Sequence, residues 1–294
     1  MSDDSKRPRR PRNAPPPRRR APSGPRPAAP PPKAAAPTSW DAVADWYDGW
    51  VGEGGSEHHR EVALPALLAL LAVEPGEQVL DLGAGQGVLA PAIAEAGGHY
   101  TGVDASPRLI GLARQRHGAQ GRFLIGDARN LSALRELKMG SFDAVTFLLS
   151  LQDMDPLGTV LAQAAWALKS EGRVVLLLTH PAFRVPRQSG WGWDAGRKLL
   201  YRRVDRYLTP LPVPMKVLPG QPPGEATRSF HRPISAYVNA LGSCGLLVDR
   251  LVEVPGHKAP PEPTPAAHDA AERARQEFPL FLGVRARKTA APGS

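Results

Sequence analysis

Asp81, Gly83, Gly85, Gly87, Asp104 and Asp127 are residue types that could build one ligand site, if the chain brings them together. Asp81 lies in a short apolar run, Val79-Leu80-Asp81-Leu82, and the three glycines alternate directly after it. Glycine lets the backbone turn sharply and approach a ligand with no Cβ in the way. A helix opening near Leu89 would point its free N–H groups at the same place. A dinucleotide loop reads G-x-G-x-x-G, but the third glycine here is Gly87, and Val88 holds the dinucleotide position. An acid just ahead of the glycines is also wrong for a pyrophosphate. It suits a ligand that carries an ammonium group.

Such residues need a frame, and the hydrophobic pattern predicts one. Strands are expected over 78–82, 100–103, 122–125, 142–148 and 173–179. Helices are expected between them, over 89–96, 107–117 and 155–168, with Ser106 as the N-cap before Pro107. Two earlier helices, 41–51 and 57–73, precede the first strand. Strand and helix alternating at this spacing imply right-handed parallel crossovers, hence an α/β, Rossmann-like, doubly wound sheet with helices on both faces. Its ligand crevice would lie outside the carboxyl ends of the strands. The rhythm then breaks. Residues 181–230 read as a lid-like insertion rich in Arg, Pro, Trp and Tyr. A helix over 234–241 and strands over 246–254 and 278–287 follow, the two strands separated by a Pro- and Ala-rich loop.

The net charge of +9 suggests a nucleic-acid partner until it is located. Residues 1–38 hold ten Lys/Arg, two acids and twelve prolines, so the remaining chain is close to neutral. A segment this basic and proline-rich cannot bury enough apolar surface to order itself, and 1–38 is expected to be disordered. Residues 39–290 are then one domain. The single cysteine, Cys244, excludes a disulfide framework and zinc sites built on several cysteines. The longest apolar stretch, 64–73, is too short to cross a bilayer. A cytoplasmic chain without a membrane role is the expectation.

Taken together, Val79-Leu80-Asp81-Leu82-Gly83-Ala84-Gly85-Gln86-Gly87, Gly102-Val103-Asp104-Ala105-Ser106, Gly126-Asp127-Ala128 and Phe142-Asp143-Ala144-Val145 resemble class I S-adenosylmethionine-dependent methyltransferases, especially the small-molecule type 11 group. The resemblance spans roughly Trp40 to Thr179. It implies a mostly parallel seven-stranded sheet with one antiparallel strand near its edge, and S-adenosyl-L-methionine as the cofactor. Gly83, Gly85 and Gly87 would approach the methionine part of that cofactor, and Asp81 would support its ammonium. Asp104, with Ala105 beside it, would accept the ribose hydroxyls. Asp127 would face the adenine amino group, with Ala128 offering a backbone N–H. Tyr47 resembles a residue of the N-terminal lid of type 11 enzymes and would approach the sulfonium.

Methyl transfer from a sulfonium chiefly requires alignment and exclusion of water. A general base is needed only where the acceptor starts protonated. Gln152 and Asp153, after the fourth strand, stand where related enzymes often carry histidines. His180 follows the fifth strand and has a pKa range suited to base work. Neither an N-P-P-Tyr-like sequence nor a cysteine follows the fourth strand, which disfavours adenine-N6 and base-C5 methylation. Trp191, Trp193, Tyr201 and Tyr207 could stack on a planar acceptor, and Arg184, Arg187, Arg202 and Arg203 could hold an anionic one. A small-molecule acceptor is the leading expectation, with O, N or C as the methylated atom. RNA, reached through the basic tail and the insertion, is the second. A non-catalytic cofactor-binding protein is the third.

Overall fold

The computed structural model describes residues 40–214, 227–262 and 267–289. The basic segment 1–38, expected above to be disordered, lies outside the described residues. The central sheet has seven strands in the order β10-β11-β5-β4-β1-β2-β3. Five parallel strands form its body: β1 (Gln78–Leu82), β2 (His99–Asp104), β3 (Gly121–Ile125), β4 (Phe142–Leu148) and β5 (Leu168–Thr179). β11 (Pro279–Lys288) inserts antiparallel beside β5, and β10 (Leu246–Pro255) pairs antiparallel with β11 at the edge. The carboxyl ends of β1 to β5 therefore share one rim of the sheet, as parallel crossovers require.

Side chains alternate across the strands, so each face builds its own core. Leu80, Leu82, Val145, Phe147, Val174, Leu176 and Leu178 lie under α5 (Leu157–Ala167) and α6 (Ile234–Ser243). Val79, Ala144, Val175 and Leu177 lie under α2 (Leu64–Leu71), α3 (Ala90–Glu95) and α4 (Pro107–His117). Strands covered on both faces read as continuous apolar runs, which is why β4 and β5 were legible. Ser106 caps α4 as expected, its Oγ accepting the Leu109 N–H at 3.2 Å.

Two local expectations are corrected. The second early helix begins as a π-turn over His59–Ala63 before α2. Arg173 fixes its far end by donating to the Leu71 and Ala72 carbonyls. The loop expected before the last strand contains α7 (His268–Glu277), whose buried stripe consists of alanines 270, 271 and 274. Alanine carries little hydrophobic signal among so many charges, so the period was hidden. The insertion, for which no elements were expected, contains four strands among its described residues. β6 (Ser189–Asp194) and β7 (Leu199–Val204) form a hairpin, and β8 (Leu211–Pro214) pairs with β9 (Arg228–His231). No described helix is long and apolar enough to cross a membrane.

Candidate functional site

The three glycines serve three different ends. All have positive φ, at 74°, 55° and 84°. A Cβ on Gly83 would stand 2.5 Å from the Cβ of Ser150, so this glycine lets the loop pack against the end of β4. A Cβ on Gly87 would stand 2.7 Å from the Phe123 ring, so this one lets α3 approach β3. Gly85 alone faces open space, with only the Tyr47 ring at 3.7 Å. Of the three, Gly85 is the glycine that leaves room for a ligand.

Asp81 is 2 % exposed, and Tyr100 donates to its Oδ2 at 2.7 Å. Its Oδ1 is buried without a partner. Burial raises its pKa to about 7, against the pull of the Tyr100 hydrogen bond and with Asp104 adding repulsion. An unsatisfied buried carboxylate oxygen is costly, and one donor with a positive charge would relieve it. Asp104 ends β2. Its Oδ2 accepts the Gly85 N–H at 2.9 Å and its Oδ1 the Ser106 N–H at 2.8 Å. A carboxylate has about four lone-pair positions, so each oxygen can take a further hydroxyl. Burial raises the Asp104 pKa, and the two backbone N–H groups pull it back. Ala105, beside it, is exposed.

A strap crosses this crevice. α1 (Ala44–Val51) carries Tyr47, whose hydroxyl is held well above its usual pKa by burial and by the Asp153, Asp104 and Asp81 carboxylates. Tyr47 thus sits among three acids drawn from three strand ends. The strap is tied down at several points. Arg116 of α4 forks onto Asp48 at 2.5 and 2.9 Å, and Arg108 pairs with Asp45. Ser106 donates to Asp41 at 2.5 Å, and the Gln86 amide donates to the Gly52 carbonyl.

Asp127 follows β3 and is already engaged. Arg129 donates to both its oxygens at 2.7 to 3.0 Å and holds its pKa below the usual range. A ligand amino group at Asp127 would have to share it with Arg129. Ala128 is buried beside it.

At the end of β4, the Gln152 amide donates to the Leu149 carbonyl at 2.8 Å, and its Oε1 is buried without a partner. Burial raises the Asp153 pKa to about 7, while a hydrogen bond with Ser229 and the charge of Arg232 pull it down. Both supports come from the far end of the insertion, where no local sequence signal could reveal them. The same holds for Tyr100 beneath Asp81.

His180 is placed differently from the expectation. Its Nδ1 accepts the backbone N–H groups of Ala182 and Phe183 at 3.2 and 3.3 Å. The proton must then sit on Nε2, which faces Glu253 Oε1 at 3.0 Å. Both nitrogens are committed and burial lowers the pKa. No lone pair remains for base work. His180 instead pins the start of the insertion. The aromatic residues of the hairpin are also engaged, Trp191 and Trp193 packing with Phe278 against α7. Tyr207 accepts the Ile234 N–H at 3.0 Å through its hydroxyl. Among the described residues no group of three His, Cys, Asp or Glu could hold a metal ion.

Comparison with known proteins agrees with this architecture. Residues 80–176 match a family model described as a methyltransferase domain. A demethylmenaquinone methyltransferase of Tropheryma whipplei is 35% identical over 117 residues, covering 40% of this chain and 48% of that protein. A ubiquinone biosynthesis O-methyltransferase of Aromatoleum aromaticum is 31% identical over 134 residues, covering 45% and 57%. The chain thus spans about half the length of these curated relatives. Among solved structures, an S-adenosylmethionine-dependent methyltransferase from Mesorhizobium loti superposes with a TM-score of 0.58 at 26% identity, covering 76% of this chain and 96% of that one. In its glycine-loop segment, residues 80–176, and in its sheet order, the chain is similar to class I S-adenosylmethionine-dependent methyltransferases.

Proposed function

We propose that the protein transfers a methyl group from S-adenosylmethionine to a small-molecule acceptor. The observation that carries this is the set of unsatisfied or partly satisfied carboxylates, Asp81 and Asp104, at adjacent strand ends around Gly85. Their chemistry matches an ammonium and a ribose diol, and nothing there would hold a phosphate. The cofactor, when bound, supplies a methyl on a sulfonium that leaves as a neutral thioether. Asp81 holds the ammonium through Oδ1. Asp104 accepts the ribose hydroxyls while ordering the loop through Gly85. Gly83 and Gly87 act indirectly, by letting the loop and α3 close up. Asp127 reads the adenine edge together with Ala128 and Arg129. Tyr47 and the strap exclude water from the reacting centre, where water would compete with the acceptor.

On the acceptor side, Asp153 is the group that holds or takes a proton. A pKa near 7 leaves it divided between both forms at neutral pH, the most effective condition for a general base. Gln152 orients the acceptor through its unpartnered Oε1. His180 is a positioning residue. The curated relatives act, by their names, in menaquinone and ubiquinone pathways, which supports a small organic acceptor over RNA. The test is calorimetry with S-adenosylmethionine and S-adenosylhomocysteine, then transfer of a labelled methyl in cell extract, fractionated into small molecules, RNA and protein. Label in RNA alone would favour the RNA reading. Cofactor binding with no label anywhere would favour a non-catalytic protein.

A further inference from the structure

Two half-buried arginines of the insertion, Arg184 and Arg202, pair with no acid among the described residues. Arg184, one turn beyond His180, and Arg202 of β7 both lie against the Trp191 ring, their Cζ atoms 5.9 and 5.0 Å from its centroid. Among the described residues, the Arg184 guanidinium makes no hydrogen bond or ion pair, and its nitrogens are not fully buried. Arg202 donates only to neutral oxygens, the Phe183 carbonyl at 2.6 Å and Ser189 Oγ at 3.0 Å. The neighbouring Arg203, by contrast, pairs with Asp205 at 3.0 Å. Both guanidiniums are half-buried. Burial lowers the pKa of each, that of Arg202 to about 10, with the charge of Arg184 adding to the effect.

Two like charges drawn out of water beside one ring, with donors still reachable, lack a counter-ion. Beyond its contact with the Trp191 ring, the Arg184 side chain gives the lid no support, since among the described residues it bonds to no backbone. Guanidinium forks match carboxylate and phosphate oxygens, and the aromatic plane keeps the fork in place. The place also fits the reaction. Arg184 N–H bonds to the His180 carbonyl at 2.9 Å, immediately past the carboxyl end of β5. β5 lies beside β4, and β4 beside β1. Two strand spacings put this rim roughly 10 Å from the end of β1.

We propose that Arg184 and Arg202, backed by Trp191, form an oxyanion subsite that holds a carboxylate or phosphate group of the methyl acceptor. The inference rests on the methyltransferase reading for the word acceptor, although the anion subsite itself does not. The acceptor is then an acid or a phosphate ester.

The full chain, labelled with fluorotryptophan, is titrated with sodium benzoate and separately with inorganic pyrophosphate. Fluorine NMR follows the Trp191 resonance, identified from its loss in Trp191→Phe. The expected result is a saturable shift of that resonance with at least one probe, and a midpoint raised about tenfold or more in Arg184→Gln. The Arg184 side chain makes no hydrogen bond among the described residues, so Arg184→Gln costs the lid only the contact with Trp191, and Arg184→Lys should recover part of the affinity. Benzoate alone would identify a carboxylate, and pyrophosphate alone a phosphate. A Trp191 resonance that neither probe moves, or an unchanged midpoint in Arg184→Gln, would overturn the proposal. S-adenosylhomocysteine affinity is measured on the same samples. Its absence with the anion response intact would sink the methyltransferase reading and leave the subsite standing.

Discussion

Cofactor affinity should rise with pH across the neutral range because Asp81 must ionise to receive an ammonium. Burial raises its pKa from the usual 3.8 to about 7. At 1.36 kcal/mol per pH unit, that separation is worth roughly 4 kcal/mol. Because the folded value lies above the unfolded one, the neutral carboxyl favours the fold fully below about pH 3.8, and this contribution is lost as pH rises through about 7. A bound ammonium reverses the preference by pairing with the charged form. S-adenosylhomocysteine is the suitable ligand, since its amine stays protonated over this range. Between pH 6 and 7.5 the ionised fraction of Asp81 rises from about one tenth to about three quarters, so affinity should increase roughly eightfold. Calorimetry at pH 6.5 in buffers of different ionisation enthalpy should show protons released on binding. Asp81→Asn should bind more weakly and show a flatter profile. Affinity constant within twofold over this range in the wild type, with no proton release, would refute the assignment of Asp81 to the ammonium.

Asp104→Ala should weaken S-adenosylhomocysteine binding by at least about a hundredfold, since two hydrogen bonds to a charged group are lost, and calorimetry reads this directly. Gly83→Ala and Gly87→Ala should lower stability by about 1–3 kcal/mol through steric conflict with Ser150 and Phe123, seen as a lower Tm. Gly85→Ala should cost less stability and lose cofactor affinity instead. Asp153→Asn should slow methyl transfer by about 10²–10⁴-fold and remove a rise in rate near pH 7, with cofactor affinity unchanged. His180→Ala should destabilise the protein by about 1–3 kcal/mol, because two backbone N–H groups lose their acceptor, while the pH dependence of transfer keeps its shape.

The sheet and the acids at its strand ends were legible because their signals are local. The apolar runs of β1, β4 and β5 and the cap at Ser106 lie within a few residues of the features they predict. Asp81, Asp104 and Asp127 could be placed because parallel strands bring their carboxyl ends to one rim. What stayed hidden depends on distant partners. The orphaned Oδ1 of Asp81 requires Tyr100 on the next strand. The raised pKa of Asp153 comes from burial, and the Ser229 hydrogen bond that opposes it comes from the far side of the insertion. His180 looked like a base because its residue type permits one, and only the backbone geometry at Ala182 and Phe183 shows both nitrogens spent. The alanine stripe of α7 carried too weak an apolar period to be seen.

The strap formed by α1 turns a binding site into a kinetic device. Its ties to α4 are ionic at Arg116–Asp48 and Arg108–Asp45, and α4 begins right after Asp104. The helix that crosses the crevice is therefore anchored to the element that follows Asp104. Ligand exchange would require those ion pairs to part, and exposed ion pairs weaken as salt screens them. Residence time on the protein would then shorten with ionic strength even where equilibrium affinity changes little. Turnover would follow the opening of a charged clasp rather than the chemistry beneath it.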